Sequence, residues 1–284
     1  MASDTELDIH VHVAPMRPVP DPAAVDAGIR PMWSPCSSTL IAGETEALLV
    51  DTLITFDQVD TLADWIKGFN KRLVGVVLTH GHSDHWIGLS RLREHFPGLR
   101  GLATKDVLAR AKFEAANLGA YWQGVFAGHI PTEPVLPELF DADSIRLDSH
   151  SLSVIDIGQG DVENSTIVHA PSIDAVVAGD VCYNQVHMMT AYTDDAARQA
   201  WIANLDAIAA MNPSTVVSGH KRLDAPDSPV TIEQSQQYLR DFTRVAAEQD
   251  TVDGIVAEML KLHGDRDNPY TLWLSARRIV ANRS

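Results

Sequence analysis

The chain has 284 residues, 45% of them hydrophobic, and a formal net charge of −16. That is enough for one large layered domain or two small ones, and the acidic balance argues against nucleic acid and anionic membrane as partners, since both need basic patches. Two cysteines, Cys36 and Cys182, form no disulfide framework, although one bridge is left open; with no signal-peptide pattern and no apolar run of membrane-spanning length, a reducing cytoplasm is the simplest expected home.

In chain order, Leu7-Asp8-Ile9-His10-Val11-His12-Val13 alternates apolar and polar residues and predicts a strand. His10 and His12 read as the polar face of an edge strand rather than as ligands. The proline-rich stretch from Pro15 to Pro31 reads as an irregular arm. Ser37 to Ile41 and Ala47 to Val50 predict two strands about the turn Gly43-Glu44, the second ending in Val50-Asp51-Thr52. Val59, Leu62, Ile66 and Phe69 mark an amphipathic helix, and Leu73-Val74-Gly75-Val76-Val77-Leu78 an apolar, β-branched buried strand. This strand-helix-strand order favours an α/β layer.

The stretch Thr79-His80-Gly81-His82-Ser83-Asp84-His85-Trp86 follows directly, and Ile87, Leu89, Leu92 and Phe96 then take up helical spacing. The histidines therefore stand where a strand ends and a helix begins, the usual place for chemistry in an open α/β sheet. His80 and His82 point the same way if the segment is extended, while Asp84 and His85 turn towards a second point. Imidazole and carboxylate suit zinc, iron and manganese, so one loop could hold two metals.

This motif resembles the signature of the metallo-β-lactamase-fold hydrolases, and the resemblance extends over roughly residues 39–220. It implies an α/β fold, the αββα four-layer sandwich, with extra C-terminal helices and a dinuclear site at one edge between the sheets. On the same basis Asp51 supports the metal-binding loop by orienting its histidines. The whole chain is expected to be one domain, with its core at about 39–220 and a helical extension at about 231–284.

Beyond the motif, Thr104 is expected to cap a helix running to about Leu118. The segment from Tyr121 to Phe126, with Pro131, Pro134 and Pro137 behind it, reads either as a pocket-lining loop or as ordinary packing on the sheet. Ile145 to Leu147 and Leu152 to Ile157 predict strands of a second sheet, followed by the turn Gly158 to Thr166, the strand Ile167 to Ala170, and Ala175-Val176-Val177-Ala178-Gly179-Asp180. The resemblance makes Asp180 the carboxylate shared by two metals, since a carboxylate has two oxygens with which to bridge. Where the family has His after Gly, this sequence has Asp161 after Gly160. Asp161 then either serves as the third ligand of the first metal, in a harder and more anionic site, or falls short of it, with His169 and Glu163 as substitutes. Thr193 is expected to cap a helix through Ala197, Trp201, Leu205 and Ile208, and Thr215 to His220 a strand whose final Gly-His matches the family's last histidine ligand. Helices over 231–249, over 251–263 and after Pro269 are expected to pack outside the core or against a second subunit, which leaves a homodimer open.

The resemblance thus implies His80, His82 and Asp161 at one metal, Asp84, His85 and His220 at the other, and Asp180 between them. Two divalent ions, zinc foremost and iron or manganese otherwise, would share and acidify a water that attacks a carbonyl or ester centre, with Asp84 orienting it or passing its proton. Trp86, Trp122 and Phe126 suggest a small-molecule substrate with an apolar group, expected to be a neutral ester, lactone or amide. Thioester and β-lactam hydrolysis use the same site. Iron-dependent thiol oxidation and non-catalytic binding are the readings from other classes.

Overall fold

The computed structural model describes residues 6–283. In chain order its strands are β1 (Asp8–Ala14), β2 (Arg17–Pro18), β3 (Met32–Trp33), β4 (Cys36–Ala42), β5 (Glu46–Val50), β6 (Arg72–Val77), β7 (Gly101–Ala103), β8 (Glu138–Leu139), β9 (Ser144–Leu147), β10 (His150–Gly158), β11 (Ser165–Ala170), β12 (Ala175–Asn184) and β13 (Thr215–Lys221). Its helices are α1 (Pro22–Asp26), α2 (Phe56–Lys67), α3 (Ser83–Trp86), α4 (Leu89–His95), α5 (Lys105–Ala116), α6 (Trp122–Val125), α7 (Asp195–Ala210), α8 (Val230–Glu248), α9 (Val252–His263) and α10 (Pro269–Ala281).

The strands form a six-stranded sheet in the order β1-β4-β5-β6-β7-β8 and a five-stranded sheet in the order β13-β12-β11-β10-β9, with β2 and β3 paired apart. The two-residue period of a strand sorts their side chains between layers. Ile41, Leu48, Val50 and Val77 of the first sheet meet Leu152, Val154, Val168, Val177 and Val217 of the second. Their neighbours Leu40, Leu49 and Val76 face the opposite way, onto Val59, Leu62 and Ile66 of α2, Leu89 and Leu92 of α4, and Val107 of α5. Ile167, Val176 and Val216 face outward from the second sheet onto Trp201 and Leu205 of α7 and Leu239 and Phe242 of α8. The result is helix, sheet, sheet, helix: the four-layer αββα sandwich.

Several expectations need correction. The C-terminal helices do not lie outside the core: Tyr238, Phe242, Ile255, Met259, Leu272 and Trp273 belong to the same apolar cluster as the outer face of the second sheet. The cap of α7 is Asp194, whose carboxylate accepts from Ala197 N, and the Thr193 hydroxyl donates instead to Thr190 O at 2.8 Å. Both thiols are free. His10 and His12 are on the edge strand as expected, but their rings rest on Phe69 and Trp65. No helix among the described residues is long and apolar enough to cross a membrane.

Candidate metal centre

Loops and strand ends from both sheets bring the site together. The backbone N–H of Thr166, on β11, donates to Thr79 O at 2.6 Å, tying the loop after β6 to the second sheet. Ser37 Oγ, on β4, donates to Ser218 O on β13 at 2.5 Å. Two glycines permit the close approach. Gly179 has φ +51°, and a Cβ there would stand 2.5 Å from Thr79 Oγ1; a Cβ on Gly219 would stand 2.1 Å from Asp180 Oδ1.

Asp51, at φ +62°, organises the loop from behind. Its Oδ1 accepts from Thr79 N at 2.8 Å, and its Oδ2 accepts from Thr79 Oγ1 at 2.7 Å and stands 2.9 Å from His85 Nδ1. A carboxylate can only accept, so Nδ1 of His85 carries a proton and Nε2 is the ring nitrogen turned towards the site, where its lone pair would be free once a cation displaced any proton there. His220 is set the same way: its Nδ1 lies 2.7 Å from the carbonyl of Pro35, and its Nε2 lies 3.2 Å from Asp180 Oδ2 and 3.4 Å from Asp84 Oδ2.

The structure gathers all seven of the expected residues. His80, His82, Asp161 and Asp180 form one group; His85, Asp180 and His220 form another, and Asp84 lies with His220 and Cys36 in a third, overlapping one. Asp180 belongs to the first two. Asp161 Oδ2 is 2.9 Å from His82 Nδ1 and its Oδ1 is 3.9 Å from His80 Nε2, so the shorter side chain does reach the cluster. Glu163 is exposed and His169 sits on β11 paired with Ser153 and Val176; neither joins it.

The electrostatics follow from crowding charge into a dry place. Against the effect of burial, Asp180, Asp84 and Asp51 push His85 up to about 9, and Asp180 and Asp84 push His220 well up. Asp161 does the same, more mildly, for His82. Burial and the neighbouring His85 push His80 well down. Asp180 and Asp84 are held low by facing imidazoles although burial opposes it, and Asp161 is raised by burial. Three buried carboxylates this close require compensating positive charge.

A cation fits that requirement. His80 Nε2, His85 Nε2, Asp161 Oδ1 and Asp180 Oδ1 are all buried and have no hydrogen-bond partner. Buried polar atoms are normally paired, and here four unpaired donors from one cluster face one another. Imidazole nitrogen and carboxylate oxygen are ligand types that zinc, iron and manganese accept.

Three neighbours carried no sequence signal as site residues. Trp33 Nε1 donates to Asp84 Oδ2 at 3.1 Å, and the Tyr183 hydroxyl donates to Asp180 Oδ2 at 2.8 Å. Cys36 is the third. The aromatic residues expected at a pocket are elsewhere: Trp86 is fully buried, with Nε1 donating to Gly81 O, and Trp122 and Phe126 are core residues behind Trp33. A narrow recess beside His220, about 20 Å³ and so no more than water-sized, is lined instead by Met32, Trp33, Tyr183, Met189, Tyr270 and Leu274.

An αββα sandwich with a histidine–aspartate cluster at one edge between its sheets defines the class. Residues 31–220 match the family model of the metallo-beta-lactamase superfamily, and the chain belongs to that superfamily. Among solved structures it is similar to a metallo-beta-lactamase from Pontibacter korlensis, at TM-score 0.58 and 16% identity, over 85% of this chain and 97% of that one. It is likewise similar to the FIM-1 metallo-beta-lactamase of Pseudomonas aeruginosa in its mono-zinc form, at TM-score 0.58 and 18% identity, over 84% of this chain and 92% of that one. Membership supports a metal-dependent hydrolase in general.

Proposed function

We propose that the chain is a dinuclear metal-dependent hydrolase acting on a small, neutral ester, lactone or amide that carries an apolar group. The observation that carries this reading is the set of four unpaired, buried donor atoms facing one another across one cluster. His80, His82 and Asp161 would hold the first cation and Asp84, His85 and His220 the second, and Asp180, which neighbours both sets, would serve both. Divalent ions bound there, zinc foremost, would supply Lewis acidity for the scissile carbonyl and for a nucleophilic water near neutral pH.

The chain's own groups do the rest. Asp84, its Oδ2 fixed by the Trp33 indole, orients the attacking water and takes its proton. Burial first, and then Asp180, raise the Tyr183 phenol well above its ordinary range, so it keeps its proton and goes on donating it to Asp180, which it holds in place. Met32, Trp33, Met189 and Leu274 line the narrow recess beside His220 and present an apolar edge to a non-reacting group of the substrate at its mouth.

Metal quantification followed by a screen of chromogenic esters, lactones, thioesters and cephalosporins tests the reading. Close to two metals per chain with turnover of a neutral ester or lactone is expected. A fully loaded protein that turns over none of these, or that carries only iron and oxidises a thiol, refutes it.

A further inference from the structure

Around this cluster stands one nucleophilic group that the reading above does not use. Cys36 opens β4 and is 3% exposed. Its Sγ belongs to a group with Asp84 and His220 whose donor atoms all lie within 4.8 Å of one another. Its hydrogen-bonding alternatives are poor: the carbonyls of Asp84 and Ser37, at 3.7 and 3.9 Å, for a weak S–H donor. The preceding carbonyl, that of Pro35, holds His220 Nδ1, so residues 35 and 36 both approach the same imidazole. An independent observation points to a ligand in this half of the cluster. His85 Nε2 and Asp180 Oδ1, both buried and 3.4 Å apart, have no hydrogen-bond partner.

We propose that Cys36 is a thiolate donor to the second cation, alongside Asp84, His85 and His220, and that it makes this position thiophilic. The proposal rests on the metal-centre reading above. On ligation the S–H bond breaks, its proton leaves to solvent, and a sulfur lone pair forms the bond to the cation. No electron is transferred, so no oxidant or reductant is needed. A thiolate beside imidazole and carboxylate favours zinc, cobalt or cadmium over manganese or magnesium. The fold places the thiol there because the start of β4 lies against the end of β13, where Ser37 Oγ holds Ser218 O two residues before His220.

Cobalt(II) reports both steps separately. The full-length protein, exchanged into cobalt, is expected to show visible ligand-field absorption and an intense near-ultraviolet thiolate-to-cobalt band. Cys36→Ser is expected to keep the visible bands, lose the charge-transfer band and bind cadmium roughly tenfold or more weakly, while its manganese affinity changes little. Cys182→Ser, which alters a core thiol remote from the cluster, is expected to keep both features. Visible bands without a thiolate band in the wild type overturn the proposal and leave the metal-centre reading standing, whether or not the variant folds. A charge-transfer band that survives Cys36→Ser also overturns it. Failure to take up cobalt at all overturns both.

Discussion

His82 is the least buried of the expected ligands, its side chain 13% exposed against 7% or less for the others. It lies outside the three apolar clusters, so its loss should spare the fold. His82→Ala is therefore expected to retain a wild-type circular dichroism spectrum while metal content and activity drop, the affinity by more than the 10–100-fold typical of groups that only orient ligands. Normal turnover with full metal content in that variant would sink the assignment. The two aspartates should rank differently. Asp180 stands within 3.8 Å of His80, His85 and His220, whereas Asp161 meets only His80 and His82. Asp180→Asn should cost both metals and Asp161→Asn at most one, read as metals per chain after gel filtration. Equal losses would count against a bridging role for Asp180.

At the scale of elements, the segment between β12 and α7 buries His187, whose Nδ1 lies 3.1 Å from the Tyr238 hydroxyl on α8. Burial, with Arg266 and His263 nearby, pushes its pKa down to about 3. The unfolded chain binds a proton there below about 6.5 while the native one stays neutral, so stability contributed by the neutral ring is present above 6.5 and lost as pH falls towards 3, by up to about 1.4 kcal/mol per pH unit. His187→Gln should flatten the fall in Tm between pH 6.5 and pH 4; an unchanged slope in thermal melts would show that His187 does not titrate as argued. On α8 itself, Phe242 is fully buried and sits over Arg198 of α7. Phe242→Ala should cost roughly 3–5 kcal/mol, measured by denaturant unfolding, with the metal ligands unaltered.

For the whole molecule, the helices beyond β13 cover the outer face of the second sheet, the strands of which carry Asp180 and His220. The described residues are therefore expected to behave as one domain. A chain ending at 225 would expose Ile167, Val176, Val216 and the flank of α7, and should aggregate or lose cooperative unfolding. A soluble, cooperatively melting, metal-loaded truncation would instead make 31–220 a complete unit with a dispensable extension.

Strand and helix periodicity is a local property, and for that reason β4, β5, β6, α2, β10 to β13 and the C-terminal helices were legible from residue spacing alone. The motif from His80 to His85 was legible because four candidate ligands are packed into one loop, and Asp51 and His220 because each stands at the end of an apolar strand; Asp180 was found by its Gly-Asp pair, although β12 continues past it to Asn184. Whether Asp161 reaches the cluster was undecidable from spacing, because the answer depends on how the turn after β10 folds back over β11. Trp33, Cys36 and Tyr183 could not be found as site residues for the same kind of reason. Trp33 lies 51 residues and Cys36 48 residues from Asp84, and only the pairing of β4, β5 and β6 within the first sheet brings the start of β4 beside the loop after β6. The polar or apolar character of an aromatic residue says nothing about which layer it enters. Trp86, Trp122 and Phe126 went to the core, and the recess was left to Trp33, Tyr183 and Tyr270, because burial is decided by the packing of all four layers at once.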